Sequence, residues 1–239
     1  MKRCIQAALC FAVAACGASD DLRPPLCPQP RTAPAQCGDT LDFTPINQYR
    51  GALVDAQLRE DAVVLIDGNC TGTLIAAAAG PVVLTAGHCV GQGDQALVAF
   101  NVEADADGDP LFTSGTVFER ADAPDYALIR LDHLPTSTPT PLTTQSSPRL
   151  AIIQHPRGGP KVIAEGAFFA ECGGPFAYTD LDTLVGSSGA GVLNAQGLLY
   201  GVHVDGDCDL DGGGSNDGWT AASIVAASAY LQPGDLMSR

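Results

Sequence analysis

What most limits the fold of this chain is that its apolar residues never run for long. They come as brief segments at 62–66, 72–77, 82–85, 96–102 and 115–119, then at 126–131, 150–154, 161–169, 191–193 and 198–204. Each has strand length, and turn-forming residues punctuate the series. Only 48–59 and the alanine-rich 220–231, which Pro233 and Gly234 terminate, read as helical. Ten or more short strands followed by one terminal helix predict packed antiparallel β-barrels. The 239 residues suffice for one large domain or two lobes around a real core. With 27 glycines and 17 prolines the composition argues against a coiled coil or a helical array, and no internal repeat is visible.

The first residues stand apart. Lys2 and Arg3 precede an apolar run at 5–15, too short to cross a hydrocarbon layer of roughly 30 Å as a helix. It reads as an export signal. Val13-Ala14-Ala15-Cys16 resembles the lipobox of bacterial lipoproteins, which implies that Cys16 is lipidated and becomes the mature amino terminus. The alternative is an ordinary signal peptide cleaved nearby. The expected organisation is therefore an export signal at 1–16, a Pro- and Ala-rich tether at 17–47 pinned through Cys27 or Cys37, and a folded domain at 48–239. The expected location is the cell envelope, lipid-anchored, or the medium after secretion.

Setting aside Cys4, Cys10 and Cys16 leaves Cys27, Cys37, Cys70, Cys89, Cys172 and Cys208, an even set that in an exported chain suggests disulfides. No CxxC pair occurs, so a metal-binding reading is weaker, and no metal or cofactor is expected. Twenty-seven acidic against 12 basic residues give a net charge of -15, which repels phosphate backbones and disfavours a nucleic-acid partner. A soluble monomer meeting protein or peptide partners is expected. Asp207, Asp209 and Asp211 before Gly212 match the first half of an EF-hand loop, but Gly218 stands where the closing glutamate belongs. Asp105, Asp107 and Asp109 match less well. Solvated loops are the preferred reading of both.

Three segments carry chemistry. Thr85-Ala86-Gly87-His88-Cys89 closes an apolar strand, with Cys70-Thr71-Gly72-Thr73-Leu74-Ile75 upstream. Asp125 directly precedes the apolar strand Tyr126-Ala127-Leu128-Ile129. Gly186-Ser187-Ser188-Gly189-Ala190-Gly191 frames a serine in glycines before apolar Val192 and Leu193. In this order, His then Asp then Ser, the chain resembles the trypsin-like serine peptidases from about Gln48 to Leu231. The resemblance implies two packed six-stranded antiparallel β-barrels with a C-terminal helix. It implies His88, Asp125 and Ser188 as a catalytic triad, and the N–H groups of Gly186 and Ser188 as an oxyanion hole. It also implies a Cys70–Cys89 bridge; the remaining Cys27, Cys37, Cys172 and Cys208 permit three pairings.

The serine pair, the His155-Pro156 turn with Gly158 and Gly159, and Gly201-Val202-His203 resemble the bacterial glutamyl-endopeptidase-like (V8-like) branch. Thr183, five residues before Ser188, and His203, fifteen after it, match the offsets that line that branch's primary pocket, where they would hold an acidic side chain. Asp182 stands six before Ser188, the offset at which trypsins carry the aspartate that attracts Lys or Arg. The two cues point to opposite substrates. Ser187 replaces the aspartate that digestive trypsins pair with a newly cut amino terminus, so activity without such a cut is expected. The rival to an endopeptidase is an inactive trypsin-like domain that binds an envelope protein, but all three triad residue types are present.

Overall fold

The computed structural model describes residues 36–106, 108–211 and 214–237. The export signal, Cys16, Cys27, Asp107, Gly212 and most of the expected tether lie outside these residues. A short strand β1 (Thr44–Pro45) leads through helix α1 (Ala56–Glu60) into β2 (Val63–Ile66), β3 (Cys70–Ile75), β4 (Val82–Thr85), β5 (Gln95–Phe100), β6 (Leu111–Asp122) and β7 (Asp125–Leu131). These last six close into a barrel in the order β2-β3-β4-β7-β6-β5. Alternation does the sorting, because successive strand side chains leave opposite faces. Val64, Ile66, Leu74, Val83, Val98 and Ile129 fill this barrel, whereas Val63, Ile75, Val82, Leu84 and Leu128 face outward into a second core.

The second half comprises β8 (Leu142–Thr143), β9 (Arg149–Gln154), β10 (Val162–Glu171), β11 (Pro175–Thr179), β12 (Gly191–Leu193), β13 (Leu199–Gly206), β14 (Asn216–Thr220), helix α2 (Ala221–Ala227) and β15 (Leu236–Met237). The path β12-β9-β10-β11-β14-β13 is closed by pairing of β12 with β13, giving a second antiparallel six-stranded barrel. Strands β8 and β15 add to it in parallel, and β1 pairs with β10. Ile152, Phe176, Tyr178, Val192 and Tyr200 fill it. Between the barrels, the outward residues of the first meet Ile153, Ile163, Leu193, Leu199 and Val202 of the second and Ile224 and Val225 of α2. The expected architecture is thus the observed one.

Two disulfides are described. Cys70–Cys89 joins β3 to the turn after β4, and Cys37–Cys208 joins the amino-terminal segment to the loop after β13, choosing one of the three pairings left open. Cys172 is disulfide-bonded as well. Such bridges fit an oxidising compartment. Residues 36–47, assigned in sequence to the tether, pack on the body: Ile46 is buried and its N–H donates to Lys161 O at 3.3 Å. Among the described residues no helix is long and apolar enough to cross a membrane.

Candidate active site

Strand register brings the imidazole to the carboxylate. Strands β4 and β7 are antiparallel with Thr85 opposite Ala127, so the turn beyond Thr85 lies beside the residues before Ala127. The chain leaves β4 into a single 3₁₀ turn, Gly87–Cys89, while Asp125 opens β7 after a two-residue link from Asp122. His88 Nδ1 lies 2.6 Å from Asp125 Oδ2, and the His88 N–H donates to Asp125 Oδ1 at 3.0 Å. Gly87 is obligatory, since a Cβ there would sit 2.4 Å from Ala121 O and 2.8 Å from Asp125 Oδ1. The hydrogen bond to Asp125 raises the His88 pKa above 6.5, against burial that lowers it. The bond to Nδ1 leaves Nε2 as the free nitrogen on a ring that is 47% exposed. An open groove of about 520 Å³ beside this ring is lined by Asp67, Cys89, Val90, Gly91 and Asp94 among others.

The serine loop comes from the other barrel and is pinned to the first by Thr71 of β3. Thr71 N–H donates to Ser188 O at 2.9 Å, and Thr71 Oγ1 donates to Gly186 O at 2.7 Å while accepting from His155 N–H at 3.0 Å. Cys89 Sγ, next along from His88, lies 3.7 Å from Ser188 O. The two serines are not equivalent. Ser187 is fully buried with its Oγ accepting from Leu184 N–H at 3.0 Å, whereas Ser188 is partly exposed with its Oγ unbonded. No hydrogen bond runs from Ser188 Oγ to the His88 ring, a contact that in unliganded sites commonly tightens only with substrate.

Gly186 has φ +99°, and a Cβ there would sit 2.7 Å from both Arg157 N and His155 O. The Arg157 N–H donates to Val185 O at 2.6 Å. In a planar trans peptide this carbonyl and the Gly186 N–H point oppositely, so the N–H faces away from Arg157. Neither Gly186 N–H nor Ser188 N–H donates to an acceptor among the described residues. Two adjacent free donors beside an unbonded hydroxyl can hold an anion formed at a carbon bonded to that hydroxyl.

The pocket residues separate. Asp182 is 1% exposed, and its oxygens accept from Cys37 N–H at 2.7 Å and Asp42 N–H at 2.6 Å. Its carboxylate therefore faces the amino-terminal segment. Thr183 is buried with Oγ1 unpartnered. His203 is tied to the serine loop, since its carbonyl accepts from Gly189 N–H at 2.8 Å and its N–H donates to Ala190 O at 2.9 Å. Its Nδ1 meets Tyr178 OH and Asp217 O, and burial pushes its pKa down to about 3, so it is neutral. His155 is buried against Gly159 O with its pKa at about 4, a turn residue rather than a base. Among the described residues no set of three His, Cys, Asp or Glu side chains converges as a metal site would require.

Thr71 and Asp217 escaped the sequence reading. Thr71 sat inside the quoted CTGTLI segment, where its burial on a strand facing the serine loop gave no periodic signal. Asp217 belongs to a strand without an apolar run.

The family model of the trypsin-like peptidase domain matches residues 70–202. A search of curated proteins finds no match. Among solved structures, a Glu endopeptidase is 20% identical at TM-score 0.57, covering 79% of this chain and 96% of that one. A serine endoprotease from Yersinia pestis is 17% identical at TM-score 0.58, covering 71% and 62%. A human astrovirus serine protease is 20% identical at TM-score 0.53, covering 74% and 93%. At these identities the structural likeness speaks for the fold.

Proposed function

The chain belongs to the trypsin-like peptidase family, a serine protease fold, and on that premise we propose that it is an exported serine endopeptidase working through His88, Asp125 and Ser188. The observation that carries this reading is the 2.6 Å contact of Asp125 with His88 Nδ1, which leaves Nε2 as the base on the side of the ring open to substrate. Ser188 Oγ attacks the scissile carbonyl as His88 Nε2 takes its proton. Asp125 holds the tautomer and stabilises the imidazolium that forms. The developing oxyanion is met by Gly186 and Ser188 N–H, worth about 2.7–4 kcal/mol for each such donor in related sites. His88 then returns the proton to the leaving amine, and water hydrolyses the acyl-Ser188 ester by the same route.

Ser187, standing where digestive trypsins carry the aspartate that receives a newly cut terminus, offers no carboxylate for such a pairing. Ser187 Oγ is satisfied by Leu184 N–H, and the buried carboxylate beneath the serine loop, Asp182, is satisfied by backbone N–H groups of Cys37 and Asp42. We therefore expect activity in a chain whose amino terminus lies anywhere before Gln36. The test is hydrolysis of a peptide library by the oxidised protein. Turnover lost in Ser188→Ala and in His88→Ala supports the endopeptidase reading. No turnover by folded, oxidised protein would favour the binding-module alternative.

A further inference from the structure

One carboxylate beside this site is unused by the mechanism. Asp217 of β14 is 8% exposed, yet neither side-chain oxygen accepts a hydrogen bond and no Lys or Arg among the described residues pairs with it. Its oxygens are not sealed from solvent. Register places Asp217 directly opposite Asp205 of β13, and cross-strand partners project from one face of a sheet. On the other side its partner is Ala177, too small to cover it.

The same strands form the wall beside the nucleophile. His203, two residues before Asp205, accepts from the N–H following Ser188, and its ring touches the Asp217 carbonyl. Asp205 lies close enough to His88 for its charge to favour the imidazolium. Like charges facing each other across strands destabilise a sheet. Here burial, Asp205 and Asp207 push Asp217 up to about 7, and burial raises Asp205 too. His203 is neutral, and Asp182 is already bonded to the amino-terminal segment. Asp217 thus faces Asp205 with no cation of this chain paired to it among the described residues, and an incoming cation would favour its ionised form. The donors do not converge as a metal set, which favours an organic cation.

We propose that Asp217, supported by Asp205, recognises a positively charged substrate side chain, lysine or arginine, on the acyl side of the scissile bond. The side chain's N–H donors would make charge-assisted bonds to carboxylate oxygens that have no other partner. This rests on the endopeptidase reading, and it opposes the acidic preference that Thr183 and His203 alone would imply.

Two experiments keep the two readings apart. In the first, oxidised full-chain Ser188→Ala is titrated calorimetrically with benzamidine, an aryl amidinium, and with neutral benzamide. Benzamidine binds and benzamide does not, and Asp217→Asn weakens benzamidine about 10-fold or more. In the second, active protein is profiled on peptides varied at the acyl-side position. Lys and Arg are preferred over Glu, and Asp217→Asn lowers the Lys-to-Leu selectivity ratio by a similar factor. If thermal melting shows Asp217→Asn unfolded, Asp205→Asn takes its place with the same direction of change. A preference for Glu, or benzamidine affinity indifferent to both substitutions, overturns the proposal. Asp217-dependent benzamidine binding without any peptidase activity sinks the endopeptidase reading and leaves the cation subsite standing. Hydrolysis with no cation preference does the reverse.

Discussion

Replacing Thr71 with valine should injure turnover through a residue that never touches substrate. The side chain is fully buried, and its hydroxyl donates to Gly186 O at 2.7 Å while accepting from His155 N–H at 3.0 Å. Valine keeps the shape and deletes both bonds. A buried polar group left unsatisfied costs about 1–3 kcal/mol, so the two orphaned groups together destabilise the fold by about 2–6 kcal/mol. The functional cost is separate. The Gly186 carbonyl that Thr71 holds belongs to the turn that aims the Gly186 and Ser188 N–H groups, and losing one such donor lowers kcat about 10²–10³-fold. We therefore expect kcat to fall by up to that factor with KM changed much less, because the donors act on charge present mainly in the transition state. Steady-state kinetics on a single peptide, alongside urea unfolding, separates the two effects. A shifted urea midpoint with kcat unchanged would refute the reasoning, since it would mean that Thr71 supports the fold without orienting the loop.

Three further outcomes are expected. The base must be neutral to act, and Asp125 raises the His88 pKa above 6.5, so kcat/KM should rise with pH through a midpoint above 6.5; Asp125→Asn should cut kcat by about 10⁴. A midpoint at or below 6.5 in a pH profile contradicts this. Lys161 is fully buried, with Nζ donating to Glu60 O at 2.8 Å, to the Glu60 carboxyl, and to Glu103 Oε1 at 2.8 Å, tying β10 to α1 and to the loop after β5. Lys161→Met strands the Glu103 carboxylate and should cost about 3–5 kcal/mol, lowering Tm by about 6–20 °C in calorimetry; no change would contradict it. Mass spectrometry of protein recovered from an exporting bacterial host should find a diacylated Cys16 as the first residue, and an unmodified later residue would overturn the lipid anchor.

The parts legible in the sequence were those that local patterning encodes. The 82–85 and 191–193 runs became β4 and β12 residue for residue, His88 lies against Asp125, and Cys89 reaches the carbonyl of Ser188. Strands β11 and β14 were missed. Both are short, PFAYT opening on a proline and NDGWT carrying Asn, Asp and Gly, and they acquire strand geometry only by pairing with each other and with β10 and β13. Helix α2 stops at Ala227 although the alanine-rich pattern continues, because the extended Ser228 turns its Oγ to accept from Tyr230 and Leu231 N–H. Asp182 shows the limit for sites. Its offset from Ser188 fits a trypsin pocket, but its orientation is set by Cys37 and Asp42, about 140 residues away in sequence, and no spacing rule conveys that.

The central claim is that Ser188, and not its buried neighbour, is the nucleophile activated by His88. The most direct measurement is peptide mapping by mass spectrometry after reaction of the oxidised protein with a fluorophosphonate. The account predicts one adduct, on Ser188, that persists in Ser187→Ala and disappears in Ser188→Ala and His88→Ala. An adduct on Ser187, or no adduct on protein whose disulfides and melting transition are intact, would contradict it.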